Sequence, residues 1–426
     1  MRIAMIHTPF PSRGGGERQI LRLAIELQKK GHYVEIFTNG VNKDSFPEFF
    51  SKVKINVVPH PLAGKLPEAW TPQMMPRITH VQQGGEQTPY LMKWIRRMRE
   101  RVLRQQYVST FPAMLELGRR IPKKFDIINT HNFPTEWAGF IAKNRLKVPL
   151  VWMCSEPPYW FFIPEQRTGL LNRTNWPLFE LVDKTTVNYM DEIMVLSYVC
   201  QDLVRQTYKR SSTVVRTGVD AEPLHKASGE SVRKKYQIEN EFVILQAGGL
   251  NPIKRQSVTI EALHRLSKKH DRVKLILDGS GRKEYLIKLS EKLGVRDKVL
   301  FLCSKNDSEL AQVYAACDVF VYPSVQSMWG MGLTEAMAAN KPVVVSKLVG
   351  VSEIIQDGVN GLVTDYPDAE SIAKKIEVLI GNPELCRQLG QNAYKYVLNN
   401  LSWQKYAESV EGVFRQTLSR FQGNVK

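Results

Sequence analysis

Short apolar runs alternate with longer segments of helical period along most of the chain, and this alternation constrains the fold more than any other feature. Arg2–Ile6 reads as a buried strand and His7–Gly16 as a Pro/Gly-rich loop. Glu17–Lys30 carries Ile20, Leu21, Leu23, Ala24 and Leu27 at helical spacing. Gly31 fits a helix stop, and Tyr33–Thr38 reads as the next strand. Further strands are expected at Ile55–Val58, Asp126–Asn129, Leu150–Met153 and Ile193–Leu196. A second series starts with a strand at Phe242–Gln246, the Gly248-Gly249 turn and a helix around Val258–Leu266. It continues with strands at Val273–Leu277, Val299–Leu302, Val319–Tyr322 and Val343–Val345. The expectation is an α/β chain of two Rossmann-like domains, with a boundary near residues 220–240, where Gly218-Val219-Asp220 leads into a polar stretch.

Composition limits what such a chain can do. No apolar run reaches the roughly 20 residues that span a bilayer. The apolar start Met1–His7 is too short for a signal peptide, which places the protein in the cytosol as an expectation. Cys154, Cys200, Cys303, Cys317 and Cys386 are scattered and show no C-x-x-C spacing, so buried free thiols are expected. The formal net charge of +17 favours nucleic acid, anionic lipid headgroups or phosphorylated small molecules as partners. No zinc-finger spacing or RNA-recognition signature supports nucleic acid. Residues 65–124 fit the alternation poorly. There Leu91, Trp94, Ile95, Met98 and Val102 share one helical face, and Lys93, Arg96, Arg97, Arg101 and Arg104 crowd the other. This stretch reads equally as a basic face for an anionic membrane or acceptor and as an ordinary surface helix. Tyr159-Trp160-Phe161-Phe162 reads as an acceptor-site lining, an interfacial segment or core.

Three glycine-bearing loops sit at expected strand ends. Ser324–Ala338 follows the strand Val319–Tyr322 and opens a helix, so its backbone N–H groups and helix dipole suit phosphate. Glu335, about one turn in, reads either as an acceptor for ribose hydroxyls or as a solvated glutamate of an ordinary strand–loop–helix turn. Gly248–Arg255 follows Phe242–Gln246, and Lys254 or Arg255 can neutralise a diphosphate. Gly14-Gly15-Gly16-Glu17 lies between the first strand and helix, where glycine permits close approach of a ligand. Its spacing is not G-x-G-x-x-G, which counts against a nicotinamide-dependent dehydrogenase.

Together these segments resemble the retaining glycosyltransferases of family four, which have the GT-B architecture: two Rossmann-like domains with parallel sheets facing across a cleft. The matching segments are Gly14–Glu17, Asp126–Asn132, Gly218–Asp220, Lys254, Pro323-Ser324, Glu335–Ala338 and Gly358–Gly361. The expected division is 1–225, completed by a C-terminal helix at about 402–426, and 226–401. The resemblance implies donor contacts from Gly15, Gly16, Lys254, Arg255, Gly330, Glu335 and the amides of Met331, Gly332 and Leu333. It puts His131 near the transferred sugar, His131 and Lys254 in catalytic roles, and Leu302–Lys305 beside the nucleobase. It further implies a GDP- or UDP-hexose donor, a glycan or lipid-linked acceptor, and no cofactor. Retention would follow front-face attack, in which the departing phosphate takes the acceptor's proton. No D-x-D motif is present, so no metal is implied. This chain departs from the family pattern at Gly249, where arginine is usual, at Ser327, where the first glutamate of the signature is usual, and at Ser155, where a histidine is frequent. Those three losses support a rival reading, a nucleotide-sugar-binding partner subunit with little or no catalysis. The basic N-terminal half suggests a peripheral place on the inner face of a membrane.

Overall fold

Strands buried at nearly every position belong to sheets covered on both faces, and this chain has two such sets. The computed structural model describes residues 1–10, 13–42, 44–61, 106–158 and 180–423. The basic amphipathic stretch at 91–104 and the aromatic run at 159–162 lie outside the described residues.

The first sheet has seven strands: β1 (Arg2–His7), β2 (Tyr33–Thr38), β3 (Lys54–Val57), β4 (Ile127–His131), β5 (Leu150–Cys154), β6 (Glu192–Val195) and β7 (Thr213–Val214). Their spatial order is β3-β2-β1-β4-β5-β6-β7. β1 runs parallel to both β2 and β4, with His7 in register with His131. Every position of β4 and β5 is buried. The helix Gly15–Lys29 buries Ile20, Leu21, Leu23, Ala24, Ile25 and Leu27, which is the stripe expected from its spacing. Lys30 caps it, and Gly31 follows at φ +82°, the left-handed conformation that ends helices at glycine.

The second sheet has six strands: β8 (Phe242–Ala247), β9 (Val273–Asp278), β10 (Val299–Leu302), β11 (Val319–Tyr322), β12 (Val343–Ser346) and β13 (Leu362–Thr364). Their order is β10-β9-β8-β11-β12-β13, and all neighbours are parallel. Its core gathers Ile244, Leu263, Leu275, Leu277, Val319, Val321, Ile372 and Ile376. Strand order reverses between β1 and β4 in one sheet and between β8 and β11 in the other. In open α/β sheets these reversal points, at the carboxyl ends of the strands, are where ligands bind.

The chain divides into two compact units. One comprises Met1–Val195, Gln201–Thr213 and Ala407–Lys426, and the other Leu196–Cys200 and Val214–Tyr406. Two short strands, β7 and β13, have two and three residues and no run long enough to show a period in the sequence. All five cysteines are free, but only Cys154, Cys200 and Cys317 are buried. Cys303 is exposed and Cys386 half-buried, which corrects the expectation of buried thiols throughout: Cys303 lies just beyond the end of β10, in a loop rather than in the core. Among the described residues no helix is long and apolar enough to cross a membrane.

Gly218 shows how tightly the second unit closes on its own chain. A Cβ there would lie 2.3 Å from the Trp403 nitrogen and 2.5 Å from its Cα, and next to it the Val219 N–H donates to the Leu401 carbonyl at 2.9 Å. Backbone on both sides leaves no flexible side chain to yield. Gly218→Ala is therefore expected to lower the free energy of unfolding by about 2 kcal/mol, read from the denaturant midpoint. An unchanged midpoint would show that the Trp403 turn gives way freely.

Candidate functional site

In the first unit, the reversal point carries two histidines. His7 ends β1 and His131 ends β4, both fully buried. His7 Nδ1 lies 2.7 Å from the Thr8 carbonyl, which only accepts, so Nδ1 carries the proton and Nε2 a lone pair. The Asn132 amide donates to that lone pair at 3.4 Å. His131 Nε2 lies 2.7 Å from Asn129 Oδ1, whose own amide donates to the Val151 carbonyl at 3.1 Å. Asn129 is thereby oriented with its oxygen toward the ring, and His131 must donate through Nε2. His131 Nδ1 is left as a buried acceptor with no hydrogen-bond partner among the described residues. Burial pushes the His7 imidazole down to about 4, opposed by its bond to Thr8. Burial, and then the neighbouring His7, hold His131 well below the usual histidine range. Both rings are neutral at physiological pH.

Gly15 and Gly16 open the helix Gly15–Lys29, whose N-cap Gly14 offers no side-chain cap. Gly15 is exposed. A Cβ on Gly16 would stand 2.8 Å from Asn132 Nδ2 and 3.9 Å from His7 Nε2, so the helix start packs on Asn132 and beside His7. The sequence pattern does not mark His7, Asn129 or Asn132 as site residues beside His131. His7 reads as the first loop residue, and only the register opposite His131 shows that it belongs to the strand.

In the second unit, the loop after β8 and the start of the helix Met331–Ala338 meet at Tyr322, the last residue of β11. Lys254 Nζ donates to the Tyr322 hydroxyl at 3.0 Å. A Cβ on Gly330 would lie 2.8 Å from two carbons of the same ring. The structure therefore brings Lys254 and the Gly330 turn together on one side chain. The loop bearing Lys254 is held by Gln246, which donates to the Lys254 carbonyl at 2.7 Å, and by Gln256, which donates to the Gly249 carbonyl at 2.9 Å. Arg255 takes the left-handed conformation at φ +55° and lies over the Tyr366 ring, 5.3 Å from its centroid, against a different tyrosine from Lys254.

Gly330 caps the helix Met331–Ala338 without a side chain, so the amides of Met331 and Gly332 head it uncapped. The Leu333 amide differs: it donates to the Gly330 carbonyl at 3.1 Å within the turn. Gly332 lets the helix start approach the sheet, since a Cβ there would be 3.2 Å from the Tyr314 hydroxyl and 3.3 Å from the Ala247 carbonyl. Glu335 is buried, and its Oε2 accepts from the Tyr314 hydroxyl at 2.9 Å. At the end of β9, Asp278 accepts from the Ser304 amide at 2.9 Å, and burial pushes its carboxyl above the usual range. Among the described residues no cluster of three or more His, Cys, Asp or Glu side chains could hold a metal. The second unit thus concentrates one ammonium and a run of uncapped amides at a strand-order reversal, a combination suited to an anionic ligand.

Comparison with known proteins gives this arrangement a family. Residues 13–223 match the model for Glycosyltransferase Family 4, and residues 229–396 that for Glycosyl transferases group 1. The two matches take in most of the chain, which belongs to the glycosyltransferases of this family and has the GT-B fold. An uncharacterized glycosyltransferase of Methanocaldococcus jannaschii is 26% identical over 97% of this chain and 98% of its own length. A D-inositol 3-phosphate glycosyltransferase of Saccharomonospora viridis is 25% identical over 96% of this chain and 91% of its own. Among solved structures, HepE of Anabaena in complex with UDP superposes with a TM-score of 0.72 at 18% identity, covering 98% of this chain and all of that one.

The neutral histidine pair generates a direct prediction. Imidazole resonances of His7 and His131 should not titrate between pH 5.5 and 8, around the usual histidine value of about 6.5, when followed by nitrogen-detected NMR. The native state refuses protons that the unfolded chain accepts, so these groups' stability is full above about pH 6.5 and falls as pH drops toward 4. Titration of either ring near 6.5 would contradict the buried geometry.

Proposed function

We propose that the protein transfers a hexose from a nucleoside diphosphate sugar to a hydroxyl of a glycan or lipid-linked acceptor, with retention of anomeric configuration and without a metal. The observation that carries this reading is the meeting of Lys254 with the uncapped start of the helix Met331–Ala338 at Tyr322. A diphosphate leaving group gathers negative charge as the C1–O bond breaks. A fixed ammonium and aligned amides stabilise that charge without reorganising. In this reading Lys254 and the amides of Met331 and Gly332 bind the diphosphate, with Gly330 shaping the turn and Arg255 lending charge. Glu335, oriented by Tyr314, accepts from the ribose hydroxyls. The acceptor oxygen bonds to C1 on the face the diphosphate leaves, and the acceptor proton passes to the departing phosphate oxygen.

In the first unit, the bare Nδ1 of His131 accepts a hydrogen bond from a sugar hydroxyl, with Gly15 and Gly16 beside it. A neutral ring suits that task better than a charged one, because only the neutral form keeps a lone pair. UDP is supported as the nucleotide by the Anabaena structures, which were solved with UDP and with UDP-glucose. GDP remains the competing donor base. We place the protein in the cytoplasm at the membrane face, a placement supported by its +17 charge.

Thermal shift with UDP, GDP, ADP and their sugars is the first test: one nucleoside diphosphate should raise the melting temperature by several degrees at millimolar concentration. Lys254→Ala should weaken that nucleotide at least about tenfold, the scale of a lost charge-assisted contact. Glu335→Ala should weaken the nucleoside diphosphate far more than inorganic diphosphate. Equal losses would remove the ribose role. Binding without turnover on any acceptor pool would favour the partner-subunit reading, for which Gly249 and Ser327 speak.

A further inference from the structure

We propose that Tyr322 is a positioning residue for the diphosphate site: its hydroxyl fixes the Lys254 ammonium through a one-way chain of hydrogen bonds that ends on the backbone of the Gly330 turn. This rests on the reading of the second unit as the site of the diphosphate. Three contacts make the chain. Lys254 Nζ is 3.0 Å from the Tyr322 hydroxyl, that hydroxyl is 3.0 Å from Ser327 Oγ, and Ser327 Oγ is 2.6 Å from the Trp329 carbonyl.

The direction of every bond is forced by the two ends. An ammonium can only donate and a carbonyl can only accept. Tyr322 must therefore accept from Lys254 and spend its single proton on Ser327. Ser327 in turn spends its own proton on Trp329. Neither hydroxyl retains a proton for any other acceptor. Ser327 is fully inaccessible to solvent and Tyr322 nearly so, which shields these bonds from competing water.

The ring is held as firmly as the hydroxyl. It lies against the bare Cα of Gly330, where any Cβ would collide with it, and Lys254 Nζ sits 5.3 Å from its centroid. The other end of the lysine is tied down as well. Asn251 Oδ1 accepts from the Lys254 amide at 3.2 Å, and Ser324 donates to the Ile253 carbonyl at 3.0 Å. Trp329, where the chain ends, directly precedes the helix cap Gly330. The ammonium and the uncapped amides are thus referenced to one another by bonds that carry no net charge. A lysine held in place this way has less flexibility to lose when an anion binds.

Tyr322→Phe keeps the ring and its contact with Gly330 while removing the acceptor. Calorimetric affinities for UDP and GDP, at one fixed salt concentration, are compared among wild type, Tyr322→Phe, Lys254→Ala and the double variant. Tyr322→Phe is expected to weaken the nucleotide that wild type prefers by about fivefold to tenfold. In the Lys254→Ala background the same change should cost nothing more, because the tyrosine acts only through the lysine. Ser327→Ala, which shortens the chain and leaves the ring in place, should weaken binding in the same direction by about twofold to fourfold. Affinity of Tyr322→Phe within twofold of wild type, or losses that multiply in the double variant, would overturn the positioning role. If Lys254→Ala itself binds as wild type does, the diphosphate reading fails and this proposal falls with it. If Lys254→Ala weakens binding but Tyr322→Phe does not, only the role of Tyr322 is lost.

Discussion

A parallel sheet puts the carboxyl end of every strand on one edge, and the candidate site depends on that constraint. Lys254 lies 68 positions before Tyr322, yet one edge of the second sheet collects it with Tyr322 and Gly330. Likewise His7 and His131, 124 positions apart, are register neighbours because β1 and β4 are adjacent and parallel. Strand order reverses beside each group, and at such a reversal right-handed crossovers send the connecting helices to opposite faces and leave a crevice at the strand ends. Glycine then lets helix starts enter that gap. At Gly16, Gly330 and Gly332 a methyl group would press on Asn132, on the Tyr322 ring or on the Tyr314 hydroxyl.

The electrostatics of the two units divide the work differently. The chain carries +17 overall, yet the buried ends of β1 and β4 hold no ionised histidine. Nearby, Glu136 and Asp183 lie buried together, and burial pushes Glu136 well above and Asp183 up to about 6. The ends of β1 and β4 thus present neutral rings with hydrogen bonds of fixed direction, which suits recognition of neutral hydroxyls. The second unit instead keeps a fixed ammonium and uncapped amides at its reversal point. Surface charge steers anions over distances of about a Debye length, but only fixed groups at the site select among them.

Much of this is legible in the sequence. Runs such as Val319–Tyr322 and Val273–Leu277 announce strands because β-branched and aliphatic residues crowd them, and the glycines at 14–16, 248–249 and 330–332 mark the loops that follow. What escaped was geometry that only pairing reveals. Tyr322 looks like one more core residue of a strand, and nothing in its neighbours shows that its hydroxyl faces a lysine 68 positions away. His7 is polar and precedes a loop, so a strand seems to stop before it, whereas β1 includes it. Leu333 reads as an amide donor like Met331 and Gly332. Yet its N–H turns back to the Gly330 carbonyl, a choice made by the tight first turn and not by residue type.

The two departures within the second unit are physically unequal. Gly249, where the resemblance calls for arginine, has no positive φ, and a Cβ there would meet only Asn251 Nδ2 at 3.5 Å and the Ser280 carbonyl at 3.9 Å. Packing does not demand glycine, so the missing cation is a matter of charge alone. Ser327 is different. It stands fully buried between Tyr322 and Trp329, with its one proton committed and its lone pair in use. A carboxylate there would be buried, would displace the bond to the Trp329 carbonyl, and would draw the Lys254 ammonium toward itself. The chain has therefore built its lysine holder around a neutral hydroxyl, and the loss of the glutamate belongs to the structure in a way that the loss of the arginine does not.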